Sequence, residues 1–248
     1  MKTPNIVVVA SLAAATLLTM SLLVTTATRS ASAPFDSSAG PLDVDTVARG
    51  LEHPWALAFL PDGKMLVTER PGRMRIVTRD GQVSVPLAGV PKPKTGGQAG
   101  LLDLALDKDF ADNRTLYFCF TSDTGGNASV ARAQLDEAAL RLEAVKVIFV
   151  QQGPGGAANH GCRIAQAPDG NLFVTLGDHF GPRDEAQNLA TDNGKLIRIA
   201  PDGSIPPDNP FVGRAKARPE IWSYGHRNAQ GLAFNPASGE LWEIEHGP

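Results

Sequence analysis

Thiols are scarce: the 248 residues carry only Cys119 and Cys162. That count excludes a scaffold built on several disulfides. With no CxxC motif or second thiol pair, it offers neither a zinc cluster nor a dithiol redox centre. Cys119 falls in a strand-like YFCF run and Cys162 beside a glycine-rich turn. We read them as a free buried thiol and a free, partly exposed one; the alternative, which an oxidising compartment would permit, is a disulfide. Concentrated positive charge is also missing. The formal net charge is −3 and the basic residues are scattered, so no nucleic-acid partner is expected. There is no GxxxxGK phosphate loop and no serine nucleophile elbow. GGQAGLL lacks the spacing and following helix of a dinucleotide fingerprint. Helical periodicity is nearly absent too. Its best candidate, residues 131–145, contains branched residues and reads better as strand, turn and strand.

One long apolar run does occur. A basic start at Lys2 precedes the uncharged stretch Ile6 to Ala27, and the small residues SASA follow. That order predicts a secretory signal over residues 1–33, with a retained anchor as the competing reading. Residues 34–248 are then the mature portion, which needs no membrane span after cleavage and is expected to be periplasmic or secreted.

Short strands separated by turn chemistry fill that portion. ALAFLPDGKMLVTE (56–69), RIAQAPDGNLFVTLGD (163–178) and GLAFNPASGELWEIE (231–245) repeat one strand–turn–strand unit, and residues 102–121 form a looser copy. Proline fixes φ and Asp-Gly makes the tight turn, so the flanking strands pair antiparallel. Registered on Pro61, Asp107, Pro168 and Pro236, the copies lie roughly 45–70 residues apart, a period that suggests propeller blades. The expected class is all-β, a β-propeller represented by about three blades and the start of a fourth. Phe59, Leu66, Phe173, Val174, Phe234 and Trp242 are the expected packing between blades. A closed four-bladed ring, completed by a strand from Val44 to Val47, is the alternative.

Polar, glycine-lined turns mark the candidate site. His160 follows GPGGAAN and Asp178 ends the next strand; a histidine can take a proton and a carboxylate can orient it. GHRN, residues 225–228, places an imidazole, a guanidinium and an amide before a strand, and Arg227 has the donor fork to hold an oxyanion. Gln98 sits in a third such turn. Glu69 and Arg70 end a strand of the first copy, where a structural ion pair is as plausible as a ligand contact. Equivalent turns of successive blades would converge about the propeller axis.

Taken together, HPWALAFLPDGKMLVTERPGRMRIV, GGQAGLLDLALDKDF, NLFVTLGD, GKLIRIAPDGSIPPDNPF and IWSYGHRNAQGLAFNPASGELWEIEHGP resemble the soluble aldose sugar dehydrogenases that depend on pyrroloquinoline quinone, relatives of soluble quinoprotein glucose dehydrogenase. The resemblance runs from about residue 43 to residue 248. It implies a six-bladed propeller that oxidises the anomeric hydroxyl of an aldose to a lactone, with quinone and calcium as cofactors. An external electron acceptor is the further partner. By resemblance His160 is the general base, Asp178 its support and Arg227 the stabiliser of charge on the quinone oxygen. Gln98, Asn228 and His246 are cofactor contacts, and the carbonyls of Gly247 and Pro248 are calcium ligands. Two departures are visible. HGCR places Arg163 three residues after His160 where the family has four, and a displacement of about 1 Å can cost ~100-fold in rate. The family also continues beyond EHGP with an acidic segment and more blades, so this chain is expected to be an incomplete one. A noncatalytic exported propeller that binds a protein or glycan is the alternative from another class.

Overall fold

The computed structural model describes residues 36–123 and 125–247. The expected signal segment, residues 1–33, and Pro248 lie outside the described residues. The chain divides into two units, residues 1–46 and 47–248. In the first, the described residues contain a turn in which Ser37 Oγ donates to the Gly40 carbonyl at 2.6 Å. Residues 44–47 form no strand, which removes the four-bladed alternative that required one.

The second unit is a succession of antiparallel meanders. Strands β1 (Pro54–Phe59), β2 (Met65–Glu69) and β3 (Arg73–Val77) make the first sheet. Strands β4 (Leu101–Leu106), β5 (Thr115–Thr121), β6 (Ala128–Asp136) and β7 (Arg141–Val150) make the second. Strands β8 (Gly161–Gln166), β9 (Leu172–Leu176), β10 (Lys195–Ile199) and β11 (Ile221–Tyr224) make the third, and β12 (Ala229–Phe234) pairs with β13 (Leu241–Glu245) in a fourth. All four registration turns fall between the first and second strands of a sheet. At the first, Gly63 N donates to Leu60 O at 2.8 Å, and Gly63 takes the positive φ of 81° that favours glycine. The looser copy differs: its DKDFADN turn closes into one helical turn, α1 (Phe110–Asn113). Asp107 organises it, accepting from Asp109 N, Asn113 Nδ2 and the Tyr117 hydroxyl.

The first strands of the sheets, β1, β4, β8 and β12, lie side by side in that order. Each is irregular near its start: the register shifts between Pro54 and Ala56, Leu101 and Leu104, Gly161 and Ile164, and Ala229 and Gly231. Such bulges bend a strand and re-aim its side chains. In the first three sheets a buried threonine on the second strand satisfies the loosened backbone. Thr68, Thr121 and Thr175 accept from Ala56, Gly100 and Arg163 N at 3.0, 2.9 and 2.9 Å. Thr68 and Thr175 also reach the neighbouring blade, donating to Leu102 O (2.7 Å) and Ala229 O (3.0 Å).

Apolar clusters fill the spaces between sheets. Leu66, Met74, Leu101 and Phe118 pack between the first two, and Leu102, Tyr117, Ile164 and Val174 between the second and third. A smaller group of Ala167, Phe173 and Leu196, with Phe234 and Leu241 against it, joins the third and fourth. Leu66, Phe173, Val174 and Phe234 therefore pack as expected. Phe59 and Trp242 do not: they are 71% and 61% exposed, because each sits on a sheet with a described neighbour on one side only.

The cysteines correct the sequence reading. Cys119 on β5 and Cys162 on β8 form a disulfide, with Cα atoms 5.9 Å apart and both side chains buried. The separation is that of a bridged pair. Stacking of the second and third sheets produces it, which strand patterning within either segment does not reveal.

Candidate active site

The turns at one end of the sheets meet through backbone and amide hydrogen bonds. Gln98 N donates to Ala157 O at 3.0 Å, and Gln98 Oε1 accepts from Asn159 N at 2.8 Å. Gly177 N donates to His160 O, and His179 N to Asn159 O, at 3.1 and 3.2 Å. From the fourth sheet, Asn228 Oδ1 accepts from Gly161 N at 3.1 Å, Arg227 O accepts from Asp178 N at 2.9 Å, and His246 N donates to Asn228 O at 3.1 Å. Gln98, His160, Asp178, Arg227, Asn228 and His246 are thus brought into one connected group, with Gly247 next along the chain. Pro248 lies outside the described residues.

His160 is 2% exposed, and neither ring nitrogen has a hydrogen-bond partner among the described residues. Burial pushes its pKa down to about 4; the neighbouring His179 and Lys94 add to the effect, and the nearby Ala157 carbonyl opposes it. The imidazole is therefore neutral, and able to accept a proton, throughout the ordinary pH range. Asp178 does not touch it. Its Oδ1 accepts from Asn159 Nδ2 (2.9 Å) and Phe180 N (2.7 Å), so its connection to His160 runs through the preceding residue. The carboxylate that the sequence offered to orient the imidazole therefore makes no hydrogen bond to it here.

Arg227 is half-buried, with Nη1 donating to His246 O at 3.2 Å and N donating to Glu245 Oε2 at 2.8 Å. Its turn is further braced by His226, whose Nδ1 lies 3.1 Å from Glu243 Oε1 and whose Nε2 lies 2.8 Å from Ser223 Oγ. His226, Glu243 and Glu245 place ligand-type atoms within 4.8 Å of one another, but these hydrogen bonds already occupy them. Arg70 and Glu69, weighed as a pair, part company: Arg70 Nη1 donates to Gly97 O at 2.8 Å and supports the Gln98 turn. Buried Glu69 binds Arg73 and Arg75 at 2.7 and 2.9 Å. Arg163 pairs with buried Asp103 at 2.7 Å and donates through Nε to Gln230 O at 3.1 Å. It locks the bulge that follows His160. Sequence reasoning missed Asn159, His179 and Gln151. The only available signal for His179 was its place directly after Asp178 in LGDHF.

Residues 51–248 match the family described as glucose / sorbosone dehydrogenase. The chain is 41% identical over 212 residues to the aldose sugar dehydrogenase YliI of Escherichia coli, covering 84% of this chain and 57% of that protein. It is 30% identical to quinoprotein glucose dehydrogenase B of Acinetobacter calcoaceticus, covering 83% of this chain and 48% of that one. Among solved structures, the PQQ-bound aldose sugar dehydrogenase of Streptomyces coelicolor superposes with a TM-score of 0.73 at 35% identity, over 82% of this chain and 59% of that one. The chain spans about half the length of the curated relatives it matches. Sheets in meander order, buried junctions between them and this extent of similarity make the fold a β-propeller and place the chain in the glucose/sorbosone dehydrogenase family.

Proposed function

We propose that the connected turns form the base-bearing part of a site at which the anomeric hydroxyl of an aldose is oxidised to a lactone. The observation that carries this reading is His160: a buried, neutral imidazole whose ring nitrogens make no well-aligned hydrogen bond among the described residues, with the Ala157 carbonyl nearby, at the meeting point of turns from successive blades. An orphaned buried polar group of this kind calls for a ligand. Pyrroloquinoline quinone, when bound, would supply the acceptor for the two electrons that leave the sugar carbon as hydride. The chain's own part is to take the hydroxyl proton on a ring nitrogen of His160, while the disulfide at Cys162 and the Arg163–Asp103 pair hold the backbone that aims it. Those two tethers favour a fixed base despite the shortened HGCR turn.

The residues fit an anionic quinone. Arg227, half-buried beside His246, can place positive charge against an oxygen as charge develops. Exposed Gln98, its Oε1 tied to Asn159, is left to donate through its amide nitrogen. Buried Asn228 spends its Oδ1 on Gly161 N and Gln230 Nε2, so it shapes the His160 turn as well as lining the site. For calcium, the carbonyls of Gly247 and Pro248 are hard oxygen donors. Calcium takes about six to eight oxygens, so these two supply only part of its shell. No helix among the described residues is long and apolar enough to cross a membrane; we assign the protein to the periplasm or exterior on the residue 1–33 pattern.

The test is titration of the purified chain with quinone and calcium, followed by aldose-dependent dye reduction. Saturable quinone binding and sugar-dependent turnover support the reading. Glycan or protein binding without quinone binding would instead mark a noncatalytic propeller.

A further inference from the structure

A second imidazole stands against the first, and its role rests on the reading of His160 as a base. His179 meets His160 edge-on, with ring centroids 5.0 Å apart and planes at 73°, and both side chains are buried. Gln151 decides where its proton sits. Gln151 Nε2 faces the carbonyls of Gly177 and Asp192 at 3.3 and 3.5 Å, so Oε1 points the other way and accepts from Ala128 N at 3.1 Å. The same oxygen lies 2.9 Å from His179 Nε2, which must therefore be the protonated nitrogen. Nδ1 is buried and makes no well-aligned hydrogen bond among the described residues. Burial lowers the pKa of this ring as well, with the nearby Ala158 carbonyl and Asp178 opposing the effect. The two histidine loops are also stitched together, since Asn159 O accepts from His179 N and Asn159 Nδ2 donates to Asp178.

We propose that His179 is a positioning residue for His160, packing edge-on to fix its ring and acting as a charge competitor that opposes its protonation in acid. A proton on either ring opposes a proton on the other, because both are buried and close. The remaining charged groups do not cancel this. Lys94 acts on His160 with the same sign; Asp178 is committed to Asn159 and Phe180 N, and its charge acts on His179. The Arg163 guanidinium is committed to Asp103 and Gln230 O, and that of Arg227 to His246 O. Behind Gln151, the Asp192 carboxylate is held by Gln152 N and Arg218, both at 2.8 Å.

The test is a histidine-resolved NMR titration of the full chain, with His160→Ala used for assignment. In the unsubstituted protein His160 should stay neutral to about pH 4, and the two histidines should each show the other's titration as a second inflection. His179→Phe keeps an edge-on ring without a charge, and His179→Gln removes both. In either variant the His160 midpoint should rise, by about one pH unit, with the larger rise and a changed tautomer signal in the glutamine variant. Independent single inflections in the unsubstituted protein, or an unchanged His160 midpoint in a folded variant, would overturn the proposal. The titration needs neither quinone nor sugar. Quinone binding without coupled titration therefore removes only the role of His179, whereas coupled titration without quinone binding removes the functional reading.

Discussion

The third and fourth sheets reach the same connected group of turns from opposite circumstances. Strands β9 and β10 of the third are buried along their whole length, whereas β13 of the fourth is exposed or half-exposed throughout. The third carries His160 and Asp178 at 2% and 3% exposure, and the fourth leads from Arg227 to exposed His246. The proposed proton handling is thus built into the packed interior, where desolvation tunes a histidine without a carboxylate on its ring. The proposed charge handling is placed where the chain meets solvent. The turn that carries the imidazole is held from both sides, by Gln98 of one neighbouring turn through Asn159 and by Asn228 of the other through Gly161.

That contrast fails outright if the buried imidazole is dispensable. In quinone- and calcium-loaded protein, His160→Ala should lower kcat by roughly 10²–10⁴, the usual contribution of a positioned acid–base group, in a variant that still melts cooperatively. Near-normal turnover would make His160 a packing residue. Next in size is the clamp between the second and third sheets. The double substitution of Cys119 and Cys162 by alanine should cost about 2–4 kcal/mol in urea unfolding; no loss would mean that the apolar junction alone sets the spacing.

Acid sharpens the same contrast. The pKa of His160 is depressed in the folded state, so the unfolded chain binds its proton first. The resulting loss of stability begins as pH falls through about 6.5 and is complete near the folded value of about 4. Unfolding measured from pH 7 to 4 should show a shallower decline in His160→Gln than in the unsubstituted protein; equal slopes would remove His160 as the cause. The smallest effect belongs to the fourth sheet. Trp242, 61% exposed, should tolerate alanine within ~0.5 kcal/mol, and a larger loss would show that this face is packed in solution.

Much of the fold was legible because its turns carry local chemistry. Pro61, Pro168 and Pro236 mark hairpins that proline and the residues after it determine by themselves. The 131–145 segment is strand, turn and strand, as its branched residues suggested. The contacts between blades were not legible. Cys119 finds Cys162, and Asp103 finds Arg163, only after two sheets stack. Glu69 takes Arg73 and Arg75 because the hairpin returns them to its face, whereas adjacent Arg70 points away to Gly97. His160 and the GHRN turn stood out by composition. His179 did not, because its significance lies in a ring contact and in the amide of Gln151, neither of which has a spacing signature.

Whether a buried neutral His160 is the base can be read from the pH dependence of kcat/KM for aldose oxidation by the loaded protein. That ratio reports the free enzyme's essential groups. A desolvated imidazole in that role should sustain activity down to an acid limb near pH 4, and the limb should disappear in His160→Ala. An acid limb near the ordinary histidine value of about 6.5, or one unchanged in the alanine variant, would contradict it.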